Sequence, residues 1–145
     1  MYNDEYFMKL ALKEAELAFK EDEVPIGAVV VCNNTVIAKA HNQTELLTDV
    51  TAHAEILAIT GAQEYLQNKF LDKCTLYVTL EPCLMCAGAL YWSRIGKVVF
   101  GAFDKKRGYS QLAEKALHPK TELKTGVLEK EALTLLQDFF KQKRK

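Results

Sequence analysis

The chain has 145 residues, of which 49% are hydrophobic and 26% are charged, and Lys plus Arg and Asp plus Glu number 19 each. This composition excludes disordered and fibrous proteins. The balanced charge says nothing for or against a nucleic-acid partner, and any such partner would have to contact a local basic patch. No apolar run approaches the roughly 18 residues of a membrane span, and the acidic N-terminus is not a signal-peptide start. We therefore expect one cytoplasmic domain over residues 1–145, whose four cysteines are metal ligands or free thiols rather than disulfides.

The N-terminal part of the chain predicts a helix followed by a β-hairpin. Residues 4–20 have apolar side chains at helical spacing, with Lys and Glu on the other faces. Residues 26–32 and 35–40 are two apolar strands joined by Asn33 and Asn34, because asparagine tolerates the positive φ angles of tight turns. The first strand is apolar throughout, so we expect both of its faces to be covered.

The rest of the chain predicts strands that alternate with helices. A polar loop at 41–51 ends at Thr51, which is a suitable N-cap for the helix that follows. The predicted elements after this loop are a helix at 52–67, a strand at 74–80, a helix from Pro82 to about Trp92, a strand at 97–101, one or two helical turns within 112–117, a weak strand at 123–127 and a helix at 129–141. This order predicts one α/β domain with helices on both faces of a central sheet.

Three residues have the types and the spacing of a metal site. Cys83 and Cys86 form a C-x-x-C pair, and both face one way if they lie on the first turn of a helix. The exposed N–H groups at such a helix start favour the thiolate form that binds metal. His53, at the start of its own predicted helix, is the third candidate ligand. Three protein ligands leave one position of a tetrahedral zinc ion open, which is typical of a catalytic site.

Glu55 lies two residues after that histidine, where a carboxylate that carries protons for a metal-activated water would be needed. C-x-x-C alone is typical of a structural zinc half-site or a redox pair. A structural zinc site would need a fourth ligand, and none of the remaining His and Cys residues is at ligand spacing with this set. The remaining residues are His41, His118, Cys32 and Cys74. Cys32 and Cys74 lie within predicted strands and are expected to be buried thiols. H-x-E followed by P-C-x-x-C is the pattern of zinc-dependent nucleobase deaminases, and it predicts a catalytic zinc ion.

Three segments resemble the bacterial tRNA-specific adenosine deaminases, within the cytidine and deoxycytidylate deaminase superfamily. The segments are 24–28 (VPIGA), 51–55 (TAHAE) and 75–89 (TLYVTLEPCLMCAGA), and the resemblance continues through 93–102 and 135–140. It implies the three-layer αβα fold of cytidine deaminases, with a mixed five-stranded central sheet. It also implies a homodimer whose active sites lie near the subunit interface.

The same resemblance implies the roles of the reactive residues. His53, Cys83 and Cys86 match the ligands of one zinc ion per subunit. Glu55 matches the residue that moves protons while water replaces the amino group at C6 of adenine, which converts adenosine to inosine.

Three further residues match substrate contacts of that family. Asn42 matches a residue that hydrogen-bonds the flipped-out base, Ile26 an aliphatic side chain that packs on this base, and Asp104 a position near the neighbouring nucleotide. The alternatives are that Asn42 and Asp104 only cap their loops and that Ile26 is a core strand residue.

The segment 104–121 departs from the family, because it is several residues shorter and lacks an Asn-His-Arg-like element. In the family this segment helps to hold the anticodon loop, so the identity of the substrate stays undetermined. Two groups of cations are suited to phosphates, although charge runs are usually solvated surface; they are Lys105, Lys106 and Arg107, and Lys141, Lys143, Arg144 and Lys145. Tyr109 is placed to stack on a base.

Three functions follow from these observations. The first is deamination of the wobble adenosine of a tRNA anticodon, with the anticodon stem-loop as the partner. The second is deamination of a free base or nucleoside, such as guanine or cytosine. The third is a zinc-stabilised RNA-binding module without enzymatic activity.

Overall fold

Helices and strands alternate along most of the chain, as the sequence predicts. The computed structural model describes residues 1–144, and Lys145 of the predicted basic tail lies outside the described residues. The elements are α1 (Asp4–Lys20), β1 (Gly27–Cys32), β2 (Thr35–His41), α2 (Ala54–Leu66), β3 (Cys74–Leu80), α3 (Leu84–Ser93), β4 (Lys97–Ala102), α4 (Tyr109–Leu112), β5 (Glu122–Thr125) and α5 (Glu129–Lys143). Within residues 1–144, no helix is both long enough and apolar enough to cross a membrane.

The five strands form one mixed sheet in the order β2-β1-β3-β4-β5. β1 pairs antiparallel with β2 and β3, whereas β3, β4 and β5 are parallel to one another. Asn33 and Asn34 have φ angles of 53° and 57° and close the β1–β2 hairpin, so the predicted turn is confirmed. The expected mixed five-stranded sheet is confirmed as well.

Apolar side chains cover both faces of this sheet and form two core clusters. On one face, Phe7, Met8 and Ala11 of α1 pack against Val29 and Val31, and α5 also lies on this face. On the other face α2 and α3 pack against the alternate strand positions, which include Ala28, Val30, Leu76, Val78, Val98 and Phe100. Because successive strand residues point to opposite faces, one apolar strand serves both clusters. The three-layer arrangement is therefore confirmed.

The strand directions place four loops at one edge of the sheet. Residue 26 precedes β1 and residue 42 follows β2, and these two strands are antiparallel with Gly27 opposite His41. Residues 81–83 follow β3 and residues 103–108 follow β4, and these two strands are parallel with Leu80 opposite Ala102. Since β1 is antiparallel to β3, all four loops lie together. The residues predicted to react and to bind substrate lie in these loops or next to them.

Two predicted helix starts are wrong by two residues each. α2 begins at Ala54 with His53 as its N-cap, while the Thr51 hydroxyl donates to Asp49 Oδ1 at 2.7 Å instead of capping the helix. α3 begins at Leu84 with Cys83 as its N-cap, so Pro82 lies just outside the helix. In both helices a predicted metal ligand occupies the cap position.

The predicted helical turns at 112–117 lie instead at Tyr109–Leu112. This shift has a long-range cause, because the Glu81 carboxylate accepts hydrogen bonds from the Ser110 N–H and hydroxyl. β5 spans Glu122–Thr125, one residue earlier at its start than predicted.

Candidate metal centre and active site

Asn42 holds the start of α2, which carries His53 and Glu55. The Oδ1 atom of Asn42 accepts a hydrogen bond of 2.8 Å from the Ala54 N–H, one of the free donors of the first helical turn. His53 has the extended backbone of an N-cap residue (φ −77°, ψ 152°), but its ring makes no capping bond. Its side chain is therefore free to turn toward α3.

The start of α3 supplies the two cysteines. Cys83 is the N-cap of α3, and Cys86 lies in its first turn with no exposed surface. Cys83 also forms an antiparallel bridge with Gly108, and the Pro82 carbonyl accepts a hydrogen bond of 3.0 Å from the Tyr109 N–H. The loop after β4 thus fixes the backbone from which Cys83 extends.

The three candidate ligands have the spacing of a tetrahedral site. His53 Nδ1 lies 3.7 Å from Cys83 Sγ and 3.6 Å from Cys86 Sγ. Zinc–sulfur and zinc–nitrogen bonds of about 2.3 and 2.0–2.1 Å at a tetrahedral angle place the two donor atoms about 3.6 Å apart. The residues present therefore fit a metal ion of this kind without rearrangement.

Within residues 1–144, this is the one group of three such side chains whose ligand atoms all lie within 4.8 Å of each other, and it has no fourth member. His41 is engaged elsewhere, because its two ring nitrogens contact Glu14 and Glu21. Cys32 and Cys74 are free thiols opposite each other on β1 and β3. Cys74 is buried as predicted, whereas Cys32 is half-buried.

The electrostatics favour a thiolate at the cap of α3. A hydrogen bond with Cys86 and a further one with His53 lower the pKa of Cys83 to about 4, against the opposing effect of burial. The hydrogen bond with Cys83 in turn raises the pKa of His53. These contacts therefore favour the thiolate form of Cys83 at neutral pH, which is the form that would bind a metal ion.

Glu55 lies beside this group and is 3% exposed. Burial raises the pKa of Glu55 to about 7, and Cys83, His53 and Cys86 all lie close enough to affect this value. Its Oε1 atom is buried and has no hydrogen-bond partner among residues 1–144. A carboxyl group with one free oxygen and a pKa near neutrality suits a proton carrier. The sequence could not show that Glu55 reaches the ligands, because residues i and i+2 within a helix point in different directions. His53 is the N-cap and lies just outside the helix, so this rule does not apply to His53 and Glu55.

Comparisons with known proteins agree with this geometry. The family described as MafB19-like deaminase matches residues 2–144. A tRNA-specific adenosine deaminase from Aquifex aeolicus is 50% identical, over 97% of this chain and 95% of that protein. The chain belongs to the tRNA-specific adenosine deaminase family.

Two solved structures place this family member among nucleobase deaminases. A tRNA:A34 deaminase superposes with a TM-score of 0.85 at 44% identity, over 90% of this chain and 99% of the other. A guanine deaminase from Nitrosomonas europaea superposes with a TM-score of 0.81 at 25% identity, over 96% of this chain and 85% of the other. The expected cytidine-deaminase-like fold is confirmed.

Asn42 contacts the start of α2, and Ile26 lies beside Asn42. The Asn42 N–H donates to the Ile26 carbonyl at 3.2 Å, while its side-chain oxygen caps α2. Its amide nitrogen has no acceptor among residues 1–144, and Ile26 is half-buried against the core. Asn42 is therefore a capping residue whose amide N–H₂ group has both donors to spare.

Asp104 closes its own loop. Its Oδ1 atom accepts hydrogen bonds of 3.0 Å from the backbone N–H groups of Lys106 and Arg107, and its carbonyl accepts one from Gly108. The carboxylate is half-buried. The structure thus shows the loop-capping role that the sequence offered as an alternative, and a contact with a neighbouring nucleotide stays a prediction.

Sequence patterns missed two buried carboxylates, one of which lies two positions before Cys83. Glu23 is 1% exposed and accepts hydrogen bonds from the N–H groups of Glu45 and Leu46 at 3.2 and 2.8 Å. Glu81 is 3% exposed and serves the loop after β4 in the same way. No local sequence pattern predicts the burial of these two carboxylates, because every hydrogen-bond partner lies more than twenty positions away. The one signal for Glu81 is its position as a charged residue between an apolar strand and Pro82.

One groove lies away from the reactive group. It has a volume of about 500 Å³ and is lined by Lys69, Phe70, Tyr91, Trp92, Arg94 and His118. Phe70 precedes β3 and Arg94 precedes β4, so the groove lies at the opposite edge of the sheet from the candidate ligands. It is no part of the deaminase centre.

Proposed function

We propose that this chain is a zinc-dependent deaminase that converts adenosine to inosine at the wobble position of a tRNA anticodon. The observation that carries this proposal is the spacing of His53, Cys83 and Cys86 with the free, buried Oε1 of Glu55 beside them. The identity of 50% with a tRNA-specific adenosine deaminase, over nearly the whole length of both chains, supports the substrate.

Zinc is the metal that this donor set fits best, since two thiolates and one imidazole are ligands that it prefers. When bound, it supplies Lewis-acid chemistry that lowers the pKa of a water in the open fourth position. His53, Cys83 and Cys86 would hold it. The Glu55 carboxylate lies outside this ligand group.

Glu55 moves the protons of the reaction. Its Oε1 takes one proton from the attacking water and delivers it to N1 of the adenine ring as oxygen bonds to C6. The second proton of the water then passes through the same carboxylate to the amino group, which leaves as ammonia. Adenosine and water thus become inosine and ammonia, and the carboxylate returns to its starting state.

Asn42 and Ile26 orient the base in this proposal. The spare amide N–H of Asn42 donates to an acceptor atom of the purine, and the half-buried Ile26 side chain packs on its face. Both are fixed by backbone contacts to each other and to α2. Asp104, in the loop after β4, lies toward the neighbouring nucleotide.

The exposed cations Lys105, Lys106 and Arg107 contact the phosphates of the stem-loop. Their loop adjoins the reactive group through the bridge between Gly108 and Cys83. The tail cations are less suited, because Lys143 pairs with Asp22 at 2.6 Å on the α1–α5 face of the sheet.

A homodimer and a single deaminase domain over residues 1–145, acting in the cytoplasm where tRNA is used, complete the proposal. α3 presents exposed apolar side chains along its length. Leu84 and Met85 lie beside the candidate ligands at its start, and Tyr91 and Trp92 lie at its other end. A Cβ atom at Gly88, in the middle of the helix, would meet nothing, so a second chain can approach closely there. Light scattering should give the mass of two chains, and a single-chain mass would contradict this part of the proposal.

The test is conversion of an anticodon stem-loop with adenosine at the wobble position. Zinc-loaded protein should release inosine and an equal amount of ammonia. The Glu55→Gln variant should keep its zinc and lose at least about 10²-fold in rate. A wild-type protein that binds zinc and the stem-loop but produces no inosine would overturn the proposal.

Deamination of a free purine is the second candidate. The observation that favours it is the superposition with a guanine deaminase at a TM-score of 0.81 over 96% of this chain. The same reactive group would serve, and only the loops around Asn42 and Asp104 would differ in their contacts.

A further inference from the structure

We propose that Glu81 is a positioning residue that holds the cationic loop, residues 104–110, against the metal centre for RNA binding. The inference rests on the proposed function for the identity of the ligand, whereas the contacts that suggest it are independent of that function. Glu81 is one of six buried polar or charged residues in the described chain, and none of its bonding is to α2 or to the metal ligands.

The Glu81 carboxylate is fully used by the cationic loop. Its Oε1 accepts a hydrogen bond of 3.0 Å from the Asp104 N–H, at the start of the loop. Its Oε2 accepts bonds from the Ser110 N–H at 3.0 Å and the Ser110 hydroxyl at 2.6 Å, at the end of the loop. The hydroxyl distance lies in the range of charge-assisted bonds. One buried carboxylate therefore joins both ends of the loop.

The loop is shaped to admit this carboxylate. Gly108 is buried, and a Cβ atom there would overlap the carboxylate of Glu81 and crowd the Asp104 carbonyl. The Gly108 N–H donates to that carbonyl at 3.0 Å. A side chain at position 108 would displace either the carboxylate or the turn, so the glycine and Glu81 fit each other.

The held loop presents its cations outward beside the reactive group. Lys105, Lys106 and Arg107 are exposed, and they lie between the two ends that Glu81 joins. Glu81 itself lies two positions before Cys83, in the turn between β3 and α3. Its carboxylate therefore sets the distance between the cations and the ligands, and a fixed array of cations binds phosphates with less loss of conformational entropy than a mobile one.

The discriminating variant is Glu81→Gln, which keeps the size of the side chain. A single amide oxygen can satisfy donors at only one end of the loop, and the amide N–H₂ faces donors at the other end. Ser110→Ala is the milder variant, because it removes only the hydroxyl bond. Asp4→Asn is the matched control, because its carboxylate accepts two side-chain hydrogen bonds, from Tyr77 and Lys124, away from the cationic loop.

The first readout is trypsin cleavage of the zinc-loaded proteins, which needs no RNA. The rate of cutting after Lys105, Lys106 and Arg107 should rise about tenfold in Glu81→Gln and less in Ser110→Ala, because the loop opens locally. Asp4→Asn should leave this rate unchanged. Cutting at other sites should not change, since a globally unfolding variant would be cut everywhere.

The second readout is steady-state kinetics on the stem-loop. Glu81→Gln should raise KM about tenfold, because phosphate contacts that bind the ground state are lost. The value of kcat should stay within about twofold and the zinc content at one per chain, because the reacting group is unchanged. Unchanged loop cleavage in both variants would overturn the proposal, as would faster cleavage with an unchanged KM, or loss of zinc with an intact loop. If wild type leaves the stem-loop unmodified, the proposed function fails, and the trypsin result still decides whether Glu81 holds the loop.

Discussion

At the scale of the residue, Asn42 combines a structural and a proposed chemical role in one side chain. Its oxygen caps α2 and so fixes His53 and Glu55, while its amide nitrogen is left for a substrate. The sequence offered these roles as alternatives, because a single residue type gives no sign of how its two polar atoms are divided. The structure shows the capping role of the oxygen atom, and the contact of the amide nitrogen with a base stays a prediction.

Substitution of Asn42 by Asp tests this division. The carboxylate keeps the oxygen that accepts from Ala54 and removes the N–H₂ donor, so the free energy of unfolding should stay within about 1 kcal/mol of wild type. The value of kcat/KM on the stem-loop should fall roughly 10- to 100-fold, which corresponds to one lost hydrogen bond to the base. Asn42→Ala should lose both stability and activity. Full activity of Asn42→Asp would show that the amide does not contact the base.

His41 links the end of β2 to α1 and makes folding stability depend on pH. Its Nδ1 lies 3.2 Å from Glu14 and its Nε2 3.0 Å from Glu21. Burial lowers the pKa of His41, but the hydrogen bonds with Glu21 and Glu14 raise it by more, so the pKa lies above its ordinary value. The contribution of these ion pairs to the free energy of unfolding is therefore complete below the unfolded-state pKa of about 6.5, and it is lost as the pH rises through the folded-state pKa.

Urea unfolding of wild type and His41→Gln at pH 6 and pH 9 checks this linkage. The substitution should lower the free energy of unfolding at pH 6 and lower it much less at pH 9, where the imidazole of wild type is neutral. An equal loss at both pH values would mean that the imidazolium ion pairs contribute nothing.

At the scale of the element, sequence patterns were sufficient wherever the cause is local. α1 has the predicted bounds because apolar spacing and the Asn3 cap, whose side chain accepts from the Tyr6 N–H, both act within one helix. The ligand set was also predictable, because spacing within a motif is a local property. The starts of α2 and α4 were not, since Asn42 and Glu81 determine them from 12 and 29 positions away.

The close contact between α1 and β1 gives a prediction at this scale. A Cβ atom at Gly27 would overlap the backbone of α1 at Ala11 and Ala15, which cannot move without moving the helix. Gly27→Ala should therefore lower the free energy of unfolding by about 1–3 kcal/mol or more. In Gly61→Ala the new methyl meets only the Ala38 methyl at 3.3 Å, and the change should stay within about 1 kcal/mol. Similar values for the two variants in urea unfolding would contradict the close packing.

At the scale of the whole molecule, the strand order explains how residues distant in sequence form one site. The loops that contain Ile26, Asn42, Cys83 and Asp104 leave four adjacent strands at a single edge. Hydrophobic patterning predicted the strands but not their order, because the same apolar positions fit several sheets. The likeness to known deaminases implied a mixed five-stranded sheet, which is confirmed, but the order of its strands comes from the structure.

The measurement that tests the account most directly is a side-by-side comparison of kcat/KM for zinc-loaded protein. One arm is an anticodon stem-loop with adenosine at the wobble position, and the other is a panel of free adenosine, guanine, cytosine and cytidine. The account predicts a value for the stem-loop at least about 100-fold above any free compound, because the cationic loop adds phosphate contacts that a free base lacks. A higher value for guanine or another free compound, with little turnover of the stem-loop, would contradict it.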